Sequence, residues 1–198
     1  MKNNKFIQVG EKKIGLDHPT YFIADIAANF DGSLERAKDL IYLAAESGAD
    51  AAKFQNFKAD TIVSAESFNA MDSQLSHQAS WEDSVYNVYD KASLPLEWTS
   101  ELKETCDQAG IHYFTTPYEM SFVDRVKDYV VAWKLGSGDI TWHDHIEAIA
   151  KIDMPFFIAT GASSFEEVKE AVAVAKRHTQ KLIIMQCNTN YTAELENF

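Results

Sequence analysis

Short β-rich runs alternate with amphipathic helices along most of the chain. The first run, Tyr21 to Asn29, precedes a helix in which apolar residues recur at helical spacing from Leu34 to Ala44. Ser33 should cap this helix and Gly48 should end it. Five later runs have the same β-rich character: AAKFQNF, HYFTTPY, AWKLGSGD, PFFIATG and KLIIMQCN. The pattern predicts six β-α steps.

Helices are predicted between these runs. One should begin at Pro95 and end at Gly110, and others are expected near residues 119–130, 143–152 and 165–178. Ser164 and Glu167 form a Ser-x-x-Glu capping box at the start of the last of them.

Strict alternation predicts a parallel sheet, either doubly wound or closed as a barrel. Lys53 and Gln55 share one strand face, as Asp25 and Asn29 share another, and apolar residues such as Phe54 occupy the opposite faces. A doubly wound sheet is covered by helices on both sides and should be apolar on both. We therefore predict an α/β fold of the TIM (β/α)8 barrel type, with about six βα units in this chain.

Two segments lie outside the regular pattern. Residues 1–20 predict an N-terminal β-hairpin with Gly10 in its turn, which would cover the opposite end of the barrel formed by residues 21–198. Between Lys58 and Ser93 the chain is longer and more polar than a βα loop requires. Such loops often act as lids over a site.

Composition narrows the class of protein. The 198 residues are 46% hydrophobic and 24% charged, which is typical of a globular chain with one large domain. No apolar run has the length of a membrane span, and the N-terminus lacks the apolar stretch of a signal peptide. With only two cysteines, Cys106 and Cys187, the chain fits a reducing compartment. We expect a cytoplasmic protein without membrane contact.

The net charge of −12 argues against nucleic-acid binding, because phosphate backbones are held by fields of lysine and arginine. An anionic ligand would need a local cluster of positive charge. The segment WKLGSGDIT, Trp133 to Thr141, offers such a charge: a lysine inside an otherwise apolar strand, followed by two closely spaced glycines. A buried lysine requires a partner.

Several segments follow one another much as in the sialic acid synthases, the N-acetylneuraminate synthase family. They are IADIAANFDGSLERAKDLI, GADAAKFQNFKADTIV, LPLEWTSELKETCDQAGIHYFTTPY, WKLGSGDIT, IATGASSFEEV and MQCNTNYT. The similarity runs from about residue 6 to the end, and the order and spacing of the motifs make it specific. It implies a TIM-barrel enzyme that condenses phosphoenolpyruvate with an N-acetylated amino-hexose, usually N-acetylmannosamine, to a nonulosonic acid with release of phosphate. It also implies a divalent metal, Mn²⁺ or Mg²⁺, and a homodimer.

Phosphoenolpyruvate carries a phosphate and a carboxylate, so its site needs cationic groups from more than one strand. By the resemblance, Lys53 and Lys134 form this anion clamp. Gly136 and Gly138 would let backbone N–H groups approach the phosphate, and Ser137 would add a hydroxyl. Further candidates for hydrogen bonds to substrate oxygens, all at carboxyl ends of predicted strands, are Thr116, Asn188, Thr189 and Tyr191.

The implied reaction forms a carbon–carbon bond between C3 of phosphoenolpyruvate and the open-chain aldehyde of the sugar, after which water attacks the cationic C2. Asp25 and Asp139 would be the catalytic carboxylates, beside the catalytic lysines Lys53 and Lys134. Gln55 would position the substrate.

Simpler interpretations of these residues stay open. Asp25 could pair with Lys53 only as a structural ion pair, and Asp139 could be the N-cap of the following helix. His143 and His145 resemble a metal pair, but they lie at a predicted helix start, where capping and solvation explain them.

The chain departs from the family pattern. Asp25 and Asp139 stand where the family has glutamate, and the family's Asn-His-Asn-Gly is Asn29-Phe30-Asp31-Gly32. Because a displacement near 1 Å can cost about a hundredfold in rate, we expect a related sugar as substrate, or weak activity.

The chain ends after six predicted strands, whereas the family barrel has eight and carries its metal-binding histidines on the missing ones. We expect no metal ligands and no C-terminal antifreeze-like domain in this chain, and no activity from it alone. Two other functions stay open: a Schiff-base aldolase with Lys53 or Lys134 as nucleophile, and a sugar- or phosphate-binding homologue without turnover.

Overall fold

The computed structural model describes residues 5–71, 78 and 81–189. The chain divides into two compact units. One unit is Ile23–Tyr129, and the other combines the residues before it with the residues after it. In the part of the chain that the structure describes, no helix is long and apolar enough to cross a membrane.

An antiparallel hairpin opens the chain, formed by β1 (Ile7–Val9) and β2 (Lys12–Ile14). Its turn contains Gly10 in the left-handed region, with φ 56°. The side chain of Gln8 fastens the turn, because its Nε2 donates to the carbonyl of Gly10 at 2.8 Å. The predicted hairpin is confirmed, and its role in covering the barrel stays a prediction.

The unit Ile23–Tyr129 is built on a parallel ladder of β3 (Ile23–Ala27), β4 (Ala51–Asn56) and β5 (His112–Pro117). Its helices are α1 (Leu34–Glu46), α2 (Ala59–Ile62), α3 (Ala65–Asn69), α4 (Val85–Ala92), α5 (Thr99–Ala109) and α6 (Met120–Val126).

The predicted ends of these helices are partly confirmed. Ser33 caps α1, because its Oγ accepts from the backbone N–H of Arg36 at 3.2 Å. Gly110 ends α5 in the left-handed conformation, with φ 73°. The α-helix itself begins at Thr99, since a 3-10 turn over Leu96–Trp98 follows Pro95. α6 ends at Val126, four residues before its predicted end.

The described part of the segment between Lys58 and Ser93 contains three short helices, α2, α3 and α4. An aromatic cluster anchors it: the ring of Tyr89 lies 5.6 Å from Phe57 and 6.3 Å from Trp81, between ring centroids. The interpretation of this segment as a lid stays a prediction.

The second unit contains another parallel ladder, β6 (Trp133–Leu135), β7 (Phe156–Ala159) and β8 (Leu182–Met185). Its helices are α7 (His143–Lys151) and α8 (Phe165–Lys176). The predicted capping box at α8 is confirmed: Glu167 N–H donates to Ser164 Oγ, and Glu167 Oε2 accepts from Ser164 N–H at 2.7 Å.

Candidate functional site

Lys53 lies on β4 directly beside Asp25 of β3, as their register pairing shows. Its Nζ donates to Asp25 Oδ1 at 3.0 Å, with the lysine side chain 6% exposed and the aspartate side chain 63% exposed. The predicted ion pair is therefore present. The ion pair does not use the full hydrogen-bonding capacity of Lys53, because an ammonium group has three N–H donors and one carboxylate oxygen accepts from only one of them.

Gln55 and Thr116 lie one step further along the same face. Gln55 follows Lys53 at the two-residue spacing of a strand face and pairs in register with Thr116 of β5. Thr116 is 1% exposed, and its Oγ1 has no hydrogen-bond partner within the described ranges. Because an unsatisfied buried hydroxyl costs about 1–3 kcal/mol, a hydrogen-bond partner for this group would stabilise the protein.

The opposite face of the ladder is structural. Phe54 stacks on Tyr113 with 5.7 Å between ring centroids, and Thr115 Oγ1 donates to Asn56 Oδ1 at 2.6 Å. These four side chains are nearly or wholly buried. Lys53 and Gln55 thus share one face of β4 as predicted, and the opposite face carries Phe54 together with the buried polar Asn56.

The expectation that Asn29 shares a strand face with Asp25 is wrong. β3 ends at Ala27, whose φ of 52° lies in the left-handed region and breaks the alternation of side chains. The backbone N–H and the Nδ2 of Asn29 then both donate to the carbonyl of Ile26, at 3.0 and 2.9 Å. Asn29 closes the turn after the strand.

Phe30, which replaces the histidine of the family pattern, is a core residue. It is fully buried and meets the ring of Trp98 edge to face, with 5.9 Å between centroids. Asp31 beside it forms an ion pair with Arg36 at 3.2 Å. Phe30 therefore packs against the 3-10 turn that precedes α5.

Lys134 is the central residue of β6, between the buried Trp133 and Leu135. Its own side chain is only half-buried, because it points to the other face of the strand. Nζ donates to the carbonyl of Leu135 at 2.9 Å. The lysine inside WKLGSGDIT thus has a backbone partner one residue further along.

Asp139 closes the turn that follows β6. A 3-10 turn spans Ser137–Asp139, and Asp139 Oδ2 accepts from the backbone N–H of Gly136 at 3.3 Å. Burial raises the pKa of the Asp139 carboxyl, whereas the Gly136 hydrogen bond and the charge of Lys134 act in the opposite direction.

The interpretation of Asp139 as the N-cap of the following helix is wrong. The N-cap of α7 is Trp142, and no side chain makes a capping hydrogen bond there. Asp139 lies three residues before that position, and its carboxylate already serves the turn after β6. The charge of Lys134 also acts on this carboxylate.

A cavity of about 410 Å³ opens at the carboxyl ends of the strands in this unit. Ser137 and Thr189, both predicted substrate-binding residues, lie in its wall. Asn188 is half-buried after β8, and Tyr191 falls outside the described residues. The lining residues are Ser137, Gly138, Ile140, Thr141, Gly161, Ala162, Ser163, Glu167 and Thr189.

Gly161, Ser163 and Glu167 in this wall were not among the predicted site residues. A signal was present, because Gly161 follows the buried run PFFIAT just as Gly136 follows WKL. The capping box that identified Glu167 also placed it at the helix start nearest to this end of the strands.

The two histidines of α7 do not belong to a group of three possible metal ligands in the described ranges. His145 is fully buried and stacks on Trp142, with ring centroids 4.4 Å apart, so packing rather than solvation explains it. Over residues 5–71, 78 and 81–189, no group of three histidine, cysteine, aspartate or glutamate side chains could hold a metal ion. These residues do not fit the divalent metal that the resemblance implies.

Comparison with known proteins identifies the family of the chain. The chain belongs to the NeuB family, whose model matches residues 40–198. It is 33% identical to the N,N'-diacetyllegionaminic acid synthase of Campylobacter jejuni over 180 residues, covering 88% of this chain and 53% of the relative. It is 30% identical to the enzyme of the same name from Legionella pneumophila, covering 100% of this chain and 56% of the relative.

Among solved structures, the chain is similar to the N-acetylneuraminic acid synthetase of Leptospira borgpetersenii in complex with citrate. The TM-score is 0.83 at 26% identity, over 98% of this chain and 63% of that one. The predicted α/β fold of the TIM-barrel type, with six parallel strands and an N-terminal hairpin, is confirmed. The chain spans about half the length of the curated relatives it matches.

Proposed function

We propose that this chain belongs to a synthase that condenses phosphoenolpyruvate with an N-acetylated amino-hexose, N-acetylmannosamine or a related sugar, to a nonulosonic acid. The observation that carries the proposal is the face of β4 and β5: a buried Lys53 with an exposed carboxylate beside it and the orphan hydroxyl of Thr116 one step along. Membership of the NeuB family supplies the reaction class.

In this proposal Lys53 binds an anionic group of phosphoenolpyruvate, and Thr116 donates to one of its oxygens. Gln55, between them on the same face, hydrogen-bonds a substrate oxygen. The exposed carboxylate of Asp25 stays accessible to the reacting carbon atoms, where a negative charge stabilises a developing cation.

The second unit has a similar set of polar groups of its own. Lys134 adds a positive charge, Ser137 and Thr189 add hydroxyls, and Asn188 adds an amide. The half-buried carboxyl of Asp139, with its raised pKa, is suited to hold or release a proton. That both lysines serve the same phosphoenolpyruvate molecule stays a prediction from the resemblance, as do a homodimer and binding of the Tyr191 side chain to substrate.

The proposed reaction joins two carbon atoms, consumes one water molecule and releases phosphate. The C3–aldehyde bond forms, and the aldehyde oxygen takes up a proton to become a hydroxyl. Water adds to C2, the bond from C2 to the phosphate oxygen breaks, and phosphate leaves as C2 becomes a ketone. The divalent metal of the resemblance stays a prediction without ligands in the described ranges, and no step is assigned to it.

The turnover experiment joins residues 1–198 to the part of the Legionella pneumophila relative that lies beyond the alignment. We expect phosphate release that requires both phosphoenolpyruvate and an N-acetylated amino-hexose, and formation of a nine-carbon ketoacid. The matched control is the same fusion with Lys53→Met. A folded fusion that binds phosphoenolpyruvate and releases no phosphate with any amino sugar would instead identify a binding homologue without turnover.

The same fusion separates the synthase from a Schiff-base aldolase. Such an enzyme attacks a ketoacid with an uncharged lysine, whereas Lys53 is held in an ion pair with Asp25. Borohydride reduction in the presence of pyruvate or the nonulosonic acid should leave the mass of the protein unchanged. A stable adduct on Lys53 or Lys134 would contradict the proposed function.

A further inference from the structure

Gly161 lies between two candidate substrate-binding residues. It follows β7, and its backbone N–H donates to Ser137 Oγ, in the turn after β6, at 3.0 Å. The residue before it is fixed to β8, because the N–H and the Oγ1 of Thr160 both donate to the carbonyl of Met185, at 3.1 and 2.9 Å. The Gly161 amide is thus a rigid donor toward Ser137.

Space, and not backbone conformation, requires glycine at this position. Gly161 is absent from the glycines with a left-handed φ in the described chain. A Cβ on Gly161 would overlap Thr189 Cγ2, would lie 3.0 Å from Ser137 Oγ and would lie 3.4 Å from the Cβ of Cys187. The methyl group of Thr189 therefore occupies the space that a side chain at residue 161 would fill.

These contacts restrict the two hydroxyls. A serine hydroxyl has one proton and two lone pairs, so acceptance from Gly161 leaves the Ser137 proton free to be donated elsewhere. Threonine is confined to staggered rotamers, so packing of its methyl on Gly161 limits where Oγ1 of Thr189 can lie. Both side chains line the same cavity of about 410 Å³.

We propose that Gly161 is a positioning residue for phosphoenolpyruvate binding: it orients Ser137 through a hydrogen bond and Thr189 through methyl packing, so that the hydroxyls of both can meet an anionic oxygen. The inference rests on the proposed function and assigns a residue that makes no contact with substrate through a side chain. Gly161→Ala should weaken binding by displacing these two neighbours.

The test is a compensating pair of substitutions in the full chain. Phosphoenolpyruvate is titrated by calorimetry into wild type, Gly161→Ala, Thr189→Ser and the double variant, and each is also unfolded with urea. We expect Gly161→Ala to raise Kd about tenfold or more. Thr189→Ser removes Cγ2 and keeps the hydroxyl, so by the same packing argument it frees Oγ1 to rotate and should also raise Kd, by less than Gly161→Ala does.

The double variant should recover most of the lost affinity, since the added Cβ then takes the place of the missing methyl. Ile149→Val, which shortens a buried side chain of α7, is the stability control and should leave Kd unchanged. Recovery of unfolding stability in the double variant without recovery of Kd would show a purely structural role and overturn the inference.

The same titrations distinguish a wrong role for Gly161 from a wrong proposed function. If wild type binds phosphoenolpyruvate and Gly161→Ala binds it equally well, the inference is wrong and the function stands. If neither phosphoenolpyruvate nor inorganic phosphate binds wild type, the proposed function is contradicted and Gly161 has no such ligand to position.

Discussion

Lys53 Nζ donates to Asp25 Oδ1 at 3.0 Å across the β3–β4 ladder, and the lysine side chain is 6% exposed where its partner is 63% exposed. This difference in exposure determines how strongly each charge depends on the other. The buried ammonium depends on the carboxylate, because a charge removed from water is costly when unpaired. The exposed carboxylate depends much less on the lysine, and it remains open to a ligand.

Asp25→Ala should therefore destabilise the protein through Lys53. We expect the free energy of unfolding to fall by about 1–2 kcal/mol, less than the 3–5 kcal/mol of a fully buried broken pair, because water reaches the Asp25 side. Urea unfolding measures the difference. The double variant Asp25→Ala with Lys53→Met should restore much of the loss, since no unpaired charge remains. Equal stability of wild type and Asp25→Ala would show that the pair is not what accommodates the buried lysine.

The raised pKa of Asp139 predicts that the stability of the folded protein depends on pH. The pKa of this carboxyl is raised in the folded protein, mainly by burial. The folded state therefore binds the proton more tightly than the unfolded state, and the resulting stability is present in acid and lost as pH rises from the ordinary aspartate range through the raised pKa. The Asp139→Asn variant has no titrating carboxyl at this position, so its stability does not show this decrease with pH.

The stability of Asp139→Asn relative to wild type should consequently increase as pH rises from the ordinary aspartate range through the raised pKa, and then level off. Urea unfolding at a series of pH values gives the two curves. A difference that is flat, or that decreases with pH, would mean that burial does not dominate the Asp139 environment.

We expect Phe30→His, which introduces the histidine of the family pattern, to destabilise the protein. Phe30→His places a polar ring in a fully buried position against Trp98, which should lower the free energy of unfolding by about 2 kcal/mol. Phe30→Leu, a smaller apolar change, should cost about 1 kcal/mol. Neither change should alter the Kd for phosphoenolpyruvate. Tighter binding by the histidine variant would show that residue 30 contributes to the site.

The two cysteines should differ in reactivity. Cys106 is fully buried, and burial raises the pKa of its thiol to about 12. Cys187 is partly exposed. Because the thiolate is the reactive form, iodoacetamide at pH 8 should label Cys187 in the native protein and Cys106 only after unfolding. Peptide mass spectrometry identifies the labelled residue, and native labelling of Cys106 would contradict its placement in the core.

Hydrophobic periodicity was sufficient to predict most of the fold. The alternation of faces on β4 put Lys53 and Gln55 together, and the capping residues Ser33 and Ser164 marked helix starts that the structure confirms. Such features are local: they depend on side-chain spacing within one element, which a sequence displays directly.

The errors arose where backbone conformation overrides local spacing. The left-handed φ of Ala27 ends β3 and moves Asn29 into a turn. Likewise, the carboxylate of Asp139 accepts a hydrogen bond from the backbone N–H of Gly136 and does not cap the next helix. The Gly161 contacts could not be predicted either, because they join residues from the ends of three different strands.

The role of Lys53 is tested most directly by the affinity of phosphoenolpyruvate for wild type and for Lys53→Met, measured by titration calorimetry with urea unfolding as the parallel readout. Lys53→Met should keep its stability within about 1 kcal/mol, because methionine fills a similar buried volume without a charge. The same variant should bind phosphoenolpyruvate about a hundredfold or more weaker, because a charge-assisted donor to the anion is lost. A stable Lys53→Met variant that binds phosphoenolpyruvate as tightly as wild type would contradict the assignment of Lys53 as the anion-binding lysine.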